Sequence, residues 1–244
     1  MGLLGWLMNP FKLSHRWDVT PQEARVIQKS LVSTRVLTDD FGPVRFIAGV
    51  DVSCESFRTL RSNPEQNQTL FATVVVLEYP TLQVVHNHSV AVETTFPYVP
   101  GLLSFREVPP LLKAFAALPL KPDLVICDGH GISHPVGLGL ATHLGLALDL
   151  PTIGCAKSLL VGSPSHVLGE EKGAMADLLF HGAVVGKVVR TRTAVKPVYV
   201  STGHRVGLES AVQWVMNSLS RYRLPEPTRQ AHRYANQARV QQFK

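Results

Sequence analysis

Two short apolar runs, each ending in an aspartate, constrain this chain more than any other feature. Residues 44–51 pass through Ala48-Gly49-Val50 to Asp51, and residues 122–128 pass through Leu124-Val125-Ile126-Cys127 to Asp128. A run of this length, rich in Val and Ile and bounded by turn residues, reads as a buried strand. A carboxylate at the end of such a strand is costly unless it is paired, hydrogen-bonded or metal-bound. Two of them predict strand ends gathered at one rim of a sheet, with a hard cation between them. A cation of this kind takes oxygen ligands and needs only one or two protein carboxylates, with water and substrate phosphate completing its shell. Mg2+ is a cation of this kind, and Mn2+ can substitute for it in such a shell. The structural alternative is a pair of strand-end caps bound to backbone amides.

The remaining pattern supplies a sheet and its helices. Thr20-Pro21-Gln22-Glu23 reads as a helix start, with Thr20 as N-cap, Pro21 at the first helical position and Glu23 closing a capping box. Residues 44–52, 69–79 and 83–92 read as strands, with a hairpin turn at Tyr79-Pro80-Thr81-Leu82 and a polar exposed loop over 57–68. A helix over 104–118, a strand over 122–127, a helix over 137–148 and a short strand over 152–156 follow. Residues 163–180 read as irregular. Strands at 183–191 and 197–201 and a final helix over 208–219 precede a basic tail. A meander of three early strands followed by alternating helix and strand predicts an α/β fold. Its mixed sheet has a three-strand antiparallel meander plus parallel strands, flanked by helices. One domain over 20–232 is expected, with an extension at 1–19 and a basic tail at 233–244.

Composition refines the class. Hydrophobic residues make up 45% of the 244, enough for a sizeable core. The net charge is +6, and between 221 and 244 six Lys or Arg stand against one Glu, so this stretch carries +5 of it. That concentration favours an arm reaching phosphate, the alternative being a solvated tail. Three cysteines, two of them inside apolar runs, give no disulfide framework and fit a reducing compartment. The apolar stretch 1–13 is too short to span a bilayer and lacks a basic leader and cleavage site. A cytoplasmic, monomeric protein without a membrane partner is expected.

Two further features carry chemistry. Lys157 closes an apolar strand, where an unpaired ammonium is costly. That favours a phosphate or carboxylate partner, the alternative being a lysine that snorkels to solvent. Pro97-Tyr98-Val99-Pro100 is stiff, since two prolines fix φ around an aromatic ring. A rigid loop carrying a Tyr can wedge into a base stack and hold open the gap left by an extruded base.

The ordered set Ala48-Gly49-Val50-Asp51, Pro97 to Gly101, Ser104-Phe105-Arg106-Glu107, Asp128-Gly129-His130-Gly131, residues 151–157, Ser201-Thr202-Gly203-His204-Arg205 and residues 223–229 resembles the endonuclease V family of the ribonuclease H-like superfamily. The resemblance runs from about 45 to 232. It implies a magnesium-dependent endonuclease of DNA repair that flips a deaminated base, chiefly hypoxanthine in deoxyinosine, into a pocket. It implies hydrolysis of the second phosphodiester bond 3′ to the lesion, leaving a 3′-hydroxyl and a 5′-phosphate. Carried over residue by residue, Asp51 and Asp128 hold the metal, and Glu107 and His232 complete the catalytic set. Pro97, Tyr98, Val99 and Pro100 form the wedge, with His134 and Lys157 also on the DNA. Gly101, Leu103, Gly129, Gly139 and Leu140 line the base pocket. Two rival readings stand beside this one: an inosine-specific endoribonuclease, and a non-catalytic binder of inosine-containing strands.

Overall fold

The computed structural model describes residues 12–54 and 68–241. Most of the loop expected over 57–68 and most of the apolar stretch 1–13 lie outside the described residues. Helix α1 (Pro21–Leu31) opens with the expected capping box, in which Thr20 Oγ1 accepts from the Glu23 N–H and the Glu23 carboxylate accepts from the Thr20 N–H at 2.7 Å. Strands β1 (Phe46–Cys54), β2 (Gln68–Glu78) and β3 (Gln83–Thr94) form the antiparallel meander. After α2 (Leu103–Ala116) come β4 (Leu124–Cys127), α3 (Leu140–Leu148) and β5 (Thr152–Ala156). Strands β6 (Ser163–Pro164), β7 (Met175–Phe180), β8 (Ala183–Val189) and β9 (Val198–His204) precede α4 (Leu208–Asn217) and α5 (Glu226–Gln241). The sheet order is β3-β2-β1-β4-β5-β9-β8-β7-β6, with β1, β4 and β5 parallel and the other neighbours antiparallel. This is the expected mixed sheet.

Period-two alternation along the central strands divides the core between the two faces. Ala48, Val50, Val125 and Cys127 pack on one side against Val108, Leu111 and Phe115 of α2 and Leu144 of α3. Ile47, Leu124 and Ile126 pack on the other against Val212 and Val215 of α4. Helix α5 lies on that second side, with Ala231 against Val75 and Leu77 of β2. Among the described residues no helix is long and apolar enough to cross a membrane.

Two expectations are corrected. Residues 163–180 are not irregular throughout, since β7 pairs with β8 through a two-residue turn at His181-Gly182. Both turn residues have positive φ, 51° and 78°, as a type I′ hairpin requires. His181 occupies a position usually filled by Asn or Asp, so the turn left no familiar signature. The segment after 208–219 is also more than a tail, because α5 runs from Glu226 to Gln241. Its Pro227 and high charge suggest a coil, but proline is tolerated in a first helical turn. Buried Ala231 and Ala235 give the helix a narrow seam that fits against the sheet.

Candidate functional site

The parallel register of β1 and β4 pairs Val50 with Cys127, which sets Asp51 and Asp128 side by side. Asp128 follows the end of β4 as expected, whereas Asp51 lies inside β1, which stays paired with β2 as far as Cys54. Lys157 follows β5, and its Nζ binds Asp128 Oδ2. Helix α5 supplies the third wall. It approaches β1 closely because position 49 is glycine, where a Cβ would collide with the Pro227 carbonyl. That docking brings His232 Nδ1 to 3.0 Å from Asp51 Oδ2 and Asn236 Nδ2 to 3.0 Å from His232 Nε2. One donor atom each from Asp51, Asp128 and His232 lie within 4.8 Å of one another. Glu107 enters from α2, and all four share a cleft of about 490 Å3 with Lys157 and Arg239.

The electrostatics of this cleft are unbalanced. Burial, and then the neighbouring Asp51 and Asp128, push the Glu107 carboxyl up to about 8. Burial also raises Asp128, outweighing the nearby Lys157 ammonium. The hydrogen bond to Asp51 raises His232. When all three carboxylates are ionised they outnumber Lys157 and Arg239, the two fixed cations that line the cleft. Hard oxygen donors with that excess fit one divalent cation.

Beside the cleft lies a second cavity of about 330 Å3. Arg106 steadies the segment leading to it, donating from Nη1 to the Phe96 carbonyl at 2.5 Å and from Nη2 to Gln68 Oε1 at 3.1 Å. The chain then passes through Pro97, Tyr98, Val99 and Pro100. Tyr98 is half-buried against Cys54 and Leu70, and Val99 packs on the Phe96–Phe105 cluster. Gly101 takes φ +81°, and its carbonyl accepts from Gln28 Nε2 at 2.9 Å. Gly101, Leu103, Gly129, Gly139 and Leu140 all line this second cavity. At Gly139 a Cβ would strike the His130 carbonyl, so glycine lets the loop after Asp128 fold against the start of α3.

His134 is buried in the wall of the same cavity, and burial pushes its ring down to about 4. It stands there as a neutral imidazole. His130 borders both cavities and is likewise held near 4 by burial. Its Nδ1 lies 3.0 Å from Ser133 Oγ.

Sequence reading missed Ser158, Leu159, Leu160 and Asn236 in this region, and took Arg239 only as part of a basic arm. Ser158, Leu159 and Leu160 form the far wall of the second cavity, and Leu159 and Leu160 are unusually exposed for their type. Asn236 and Arg239 line the cleft. Arg239 Nε is buried and has no hydrogen-bond partner among the described residues. The last two lie four and seven positions beyond His232, a helical spacing that becomes visible only once α5 is seen as a helix.

A family model described as Endonuclease V matches residues 28–233. The chain is 55% identical over 226 residues to an Endonuclease V of Gloeobacter violaceus, covering 92% of this chain and 89% of that protein. The crystal structure of the Streptomyces avermitilis Endonuclease V superposes with a TM-score of 0.84 at 39% identity, covering 93% of this chain and 96% of the other. A Ciona intestinalis Endonuclease V superposes at 0.77 with 28% identity, covering 93% of this chain and 100% of the other. That protein was crystallised with a 23mer DNA containing an inosine followed by a ribo-adenosine.

Proposed function

The chain belongs to the endonuclease V family and is a nuclease, and on that premise we propose that it cuts DNA carrying a deaminated base, chiefly deoxyinosine, with a divalent cation held by Asp51 and Asp128. The observation that carries this reading is the pairing of an uncompensated acidic cleft with a glycine-lined cavity that shares its Gly129–His130 wall. One cavity has the chemistry for a phosphodiester and the other has the shape for an extruded base. The Ciona complex with inosine-containing DNA supports the same substrate class.

In this mechanism the Pro97–Pro100 segment opens the stack with Tyr98, and the base enters between Gly101, Leu103, Gly129, Gly139 and Leu140. The neutral rings of His130 and His134 suit a pocket for an uncharged base. The cation, when bound, neutralises charge on the phosphate and makes bound water more acidic. Glu107 holds its carboxyl beside the attacking position, where a group near neutrality can move a proton. Lys157 keeps Asp128 oriented, and Arg239 presents a cationic donor to the cleft. The second phosphodiester 3′ to the lesion is cut, leaving a 3′-hydroxyl and a 5′-phosphate.

The test is cleavage of matched oligonucleotides carrying one deoxyinosine, one inosine or neither, with and without Mg2+. Cutting of the deoxyinosine strand one bond beyond the lesion, only with Mg2+, is expected. Stronger cutting of the inosine ribonucleotide strand would turn the reading to an endoribonuclease, and binding without cutting would sink the enzyme reading. Tyr98→Ala should lower discrimination between lesion and normal duplex about ten- to a hundredfold, as expected for the loss of one stacked aromatic.

A further inference from the structure

We propose that Asn236 is a positioning residue that locks the His232 ring against Asp51, so that His232 holds a ligand of the cation and not the cation itself. The inference rests on the reading of Asp51 as a cation ligand. His232 is flanked on both ring nitrogens, with Nδ1 3.0 Å from Asp51 Oδ2 and Nε2 3.0 Å from Asn236 Nδ2. An ionised carboxylate only accepts hydrogen bonds, so Nδ1 carries the proton. The Asn236 amide nitrogen only donates, so Nε2 offers its lone pair to it. Turning the amide over would present its oxygen and require a second proton on Nε2, and Nδ1 keeps its proton in either arrangement. A protonated ring nitrogen has no lone pair for a metal. His232 would therefore act as a hydrogen-bonding partner that orients Asp51, the outer role that second partners of metal-ligating carboxylates take.

The geometry explains why a second partner is needed. The His232 side chain is 52% exposed, against 13% for Asp51. A half-exposed imidazole with one hydrogen bond can leave it for other rotamers. Asn236 lies one helical turn further along α5, at the i+4 spacing that brings two side chains together. The helix itself is fixed by the close approach of Pro227 to Gly49. Helix docking, amide, imidazole and carboxylate thus form one chain of support that ends at the cation site.

The test uses the full chain labelled with nitrogen-15 in histidine. His232 is assigned by the signal lost in His232→Ala. In the metal-free protein, above the pH at which the ring titrates, the proton should reside on Nδ1, with Nε2 bare. A proton on Nε2 and a bare Nδ1 would overturn the proposal. With Mn2+ alone as the probe, electron spin-echo spectra should show no directly bound nitrogen that depends on His232. A nitrogen coupling that disappears in His232→Ala would overturn it equally. Asn236→Ala should lower kcat about three- to tenfold, the worth of one hydrogen bond, with KM for the lesion strand and the melting temperature unchanged. Asn236→Gln should recover part of that loss. An unchanged kcat in Asn236→Ala, or no recovery in Asn236→Gln, would remove Asn236 from the role. If Asp51→Ala still cleaves, the cation reading fails, whereas the nitrogen spectra of the metal-free protein judge the hydrogen-bond chain independently.

Discussion

The two rims of the sheet each gather acidic side chains, and they treat them differently. At the rim where β1, β4 and β5 begin, Asp149 accepts from Arg205 Nε at 2.8 Å and meets Arg205 Nη2 at 2.7 Å, with His204 Nε2 at 3.6 Å. Arg205 also binds Asp40. Asp123 accepts the backbone N–H groups of Arg45 and Phe46, each at 2.8 Å. Asp39 takes the Gly207 N–H at 2.7 Å and the Ser210 hydroxyl at 2.5 Å. Burial would raise the Asp149 carboxyl, but its bonds to Arg205 and His204 outweigh that and hold it below the ordinary range. At the opposite rim, where the pairing of β1 with β4 stops, Asp128 binds Lys157 and Asp51 binds His232, while burial and these two carboxylates drive Glu107 up to about 8. Carboxylates with partners of their own hold a structure together. Carboxylates that crowd one another without enough partners mark a place where charge must arrive from outside.

The largest effect that can break this contrast is on cleavage. Asp51→Asn or Asp128→Asn should reduce the cleavage rate by more than about a thousandfold, since a metal's charge stabilisation is worth several kcal/mol. The folded protein without metal should keep or gain stability, because like-charge crowding around Glu107 is relieved. Single-turnover cleavage and thermal melting on the same samples check both halves. A near-normal rate in either variant would dissolve the distinction between the rims.

A pH dependence sharpens it. Glu107 has a folded-state value raised to about 8 against an ordinary 4.5, so its neutral form favours the folded protein. Its contribution is fully present below about 4.5 and is lost as pH rises through about 8. The metal-free protein should lose stability over this window, by an amount on the order of 1 kcal/mol per pH unit. Glu107→Gln should flatten the slope, and Mg2+ should oppose the loss by binding the ionised site. Melting temperatures at pH 5, 7 and 9, with and without Mg2+, read this directly. A metal-free stability that rises across the same window would contradict the crowding.

The smallest effect is at the balanced rim. Asp149→Asn keeps the side-chain shape and suits the left-handed backbone at φ 52°. It should cost about 1–2 kcal/mol from weakened charge-assisted hydrogen bonds, partly screened by solvent. Melting should fall by about 2–4 °C per kcal/mol for a chain of this length. Cleavage of the lesion strand should be unchanged at a temperature where the variant is folded. A loss of cleavage there would mean that the two rims are coupled.

The contrast also separates what could be read from the chain and what could not. Asp51 and Asp128 were legible because each ends an apolar run, where a charge is conspicuous. The capping box at Thr20 and the meander were legible because their signals are local or repeat every second residue. The relation of Asn236 and Arg239 to His232 was not, since it depends on α5, which Pro227 and the charged residues around it disguise. The balanced rim was equally hidden. Asp40, Asp149 and Arg205 are far apart in sequence, and no local pattern tells a paired carboxylate from an unpaired one.

The sequence alone therefore determined the class of sheet through its hydrophobic period, the family through its ordered motifs, and the need of two aspartates for partners through their burial cost. Only the tertiary structure decided which carboxylates lack partners. That depends on parallel register between β1 and β4, on glycine at position 49 admitting α5, and on Arg205 reaching one rim and not the other. Charge balance is a property of distances, and these distances exist only once non-local strands and helices have packed.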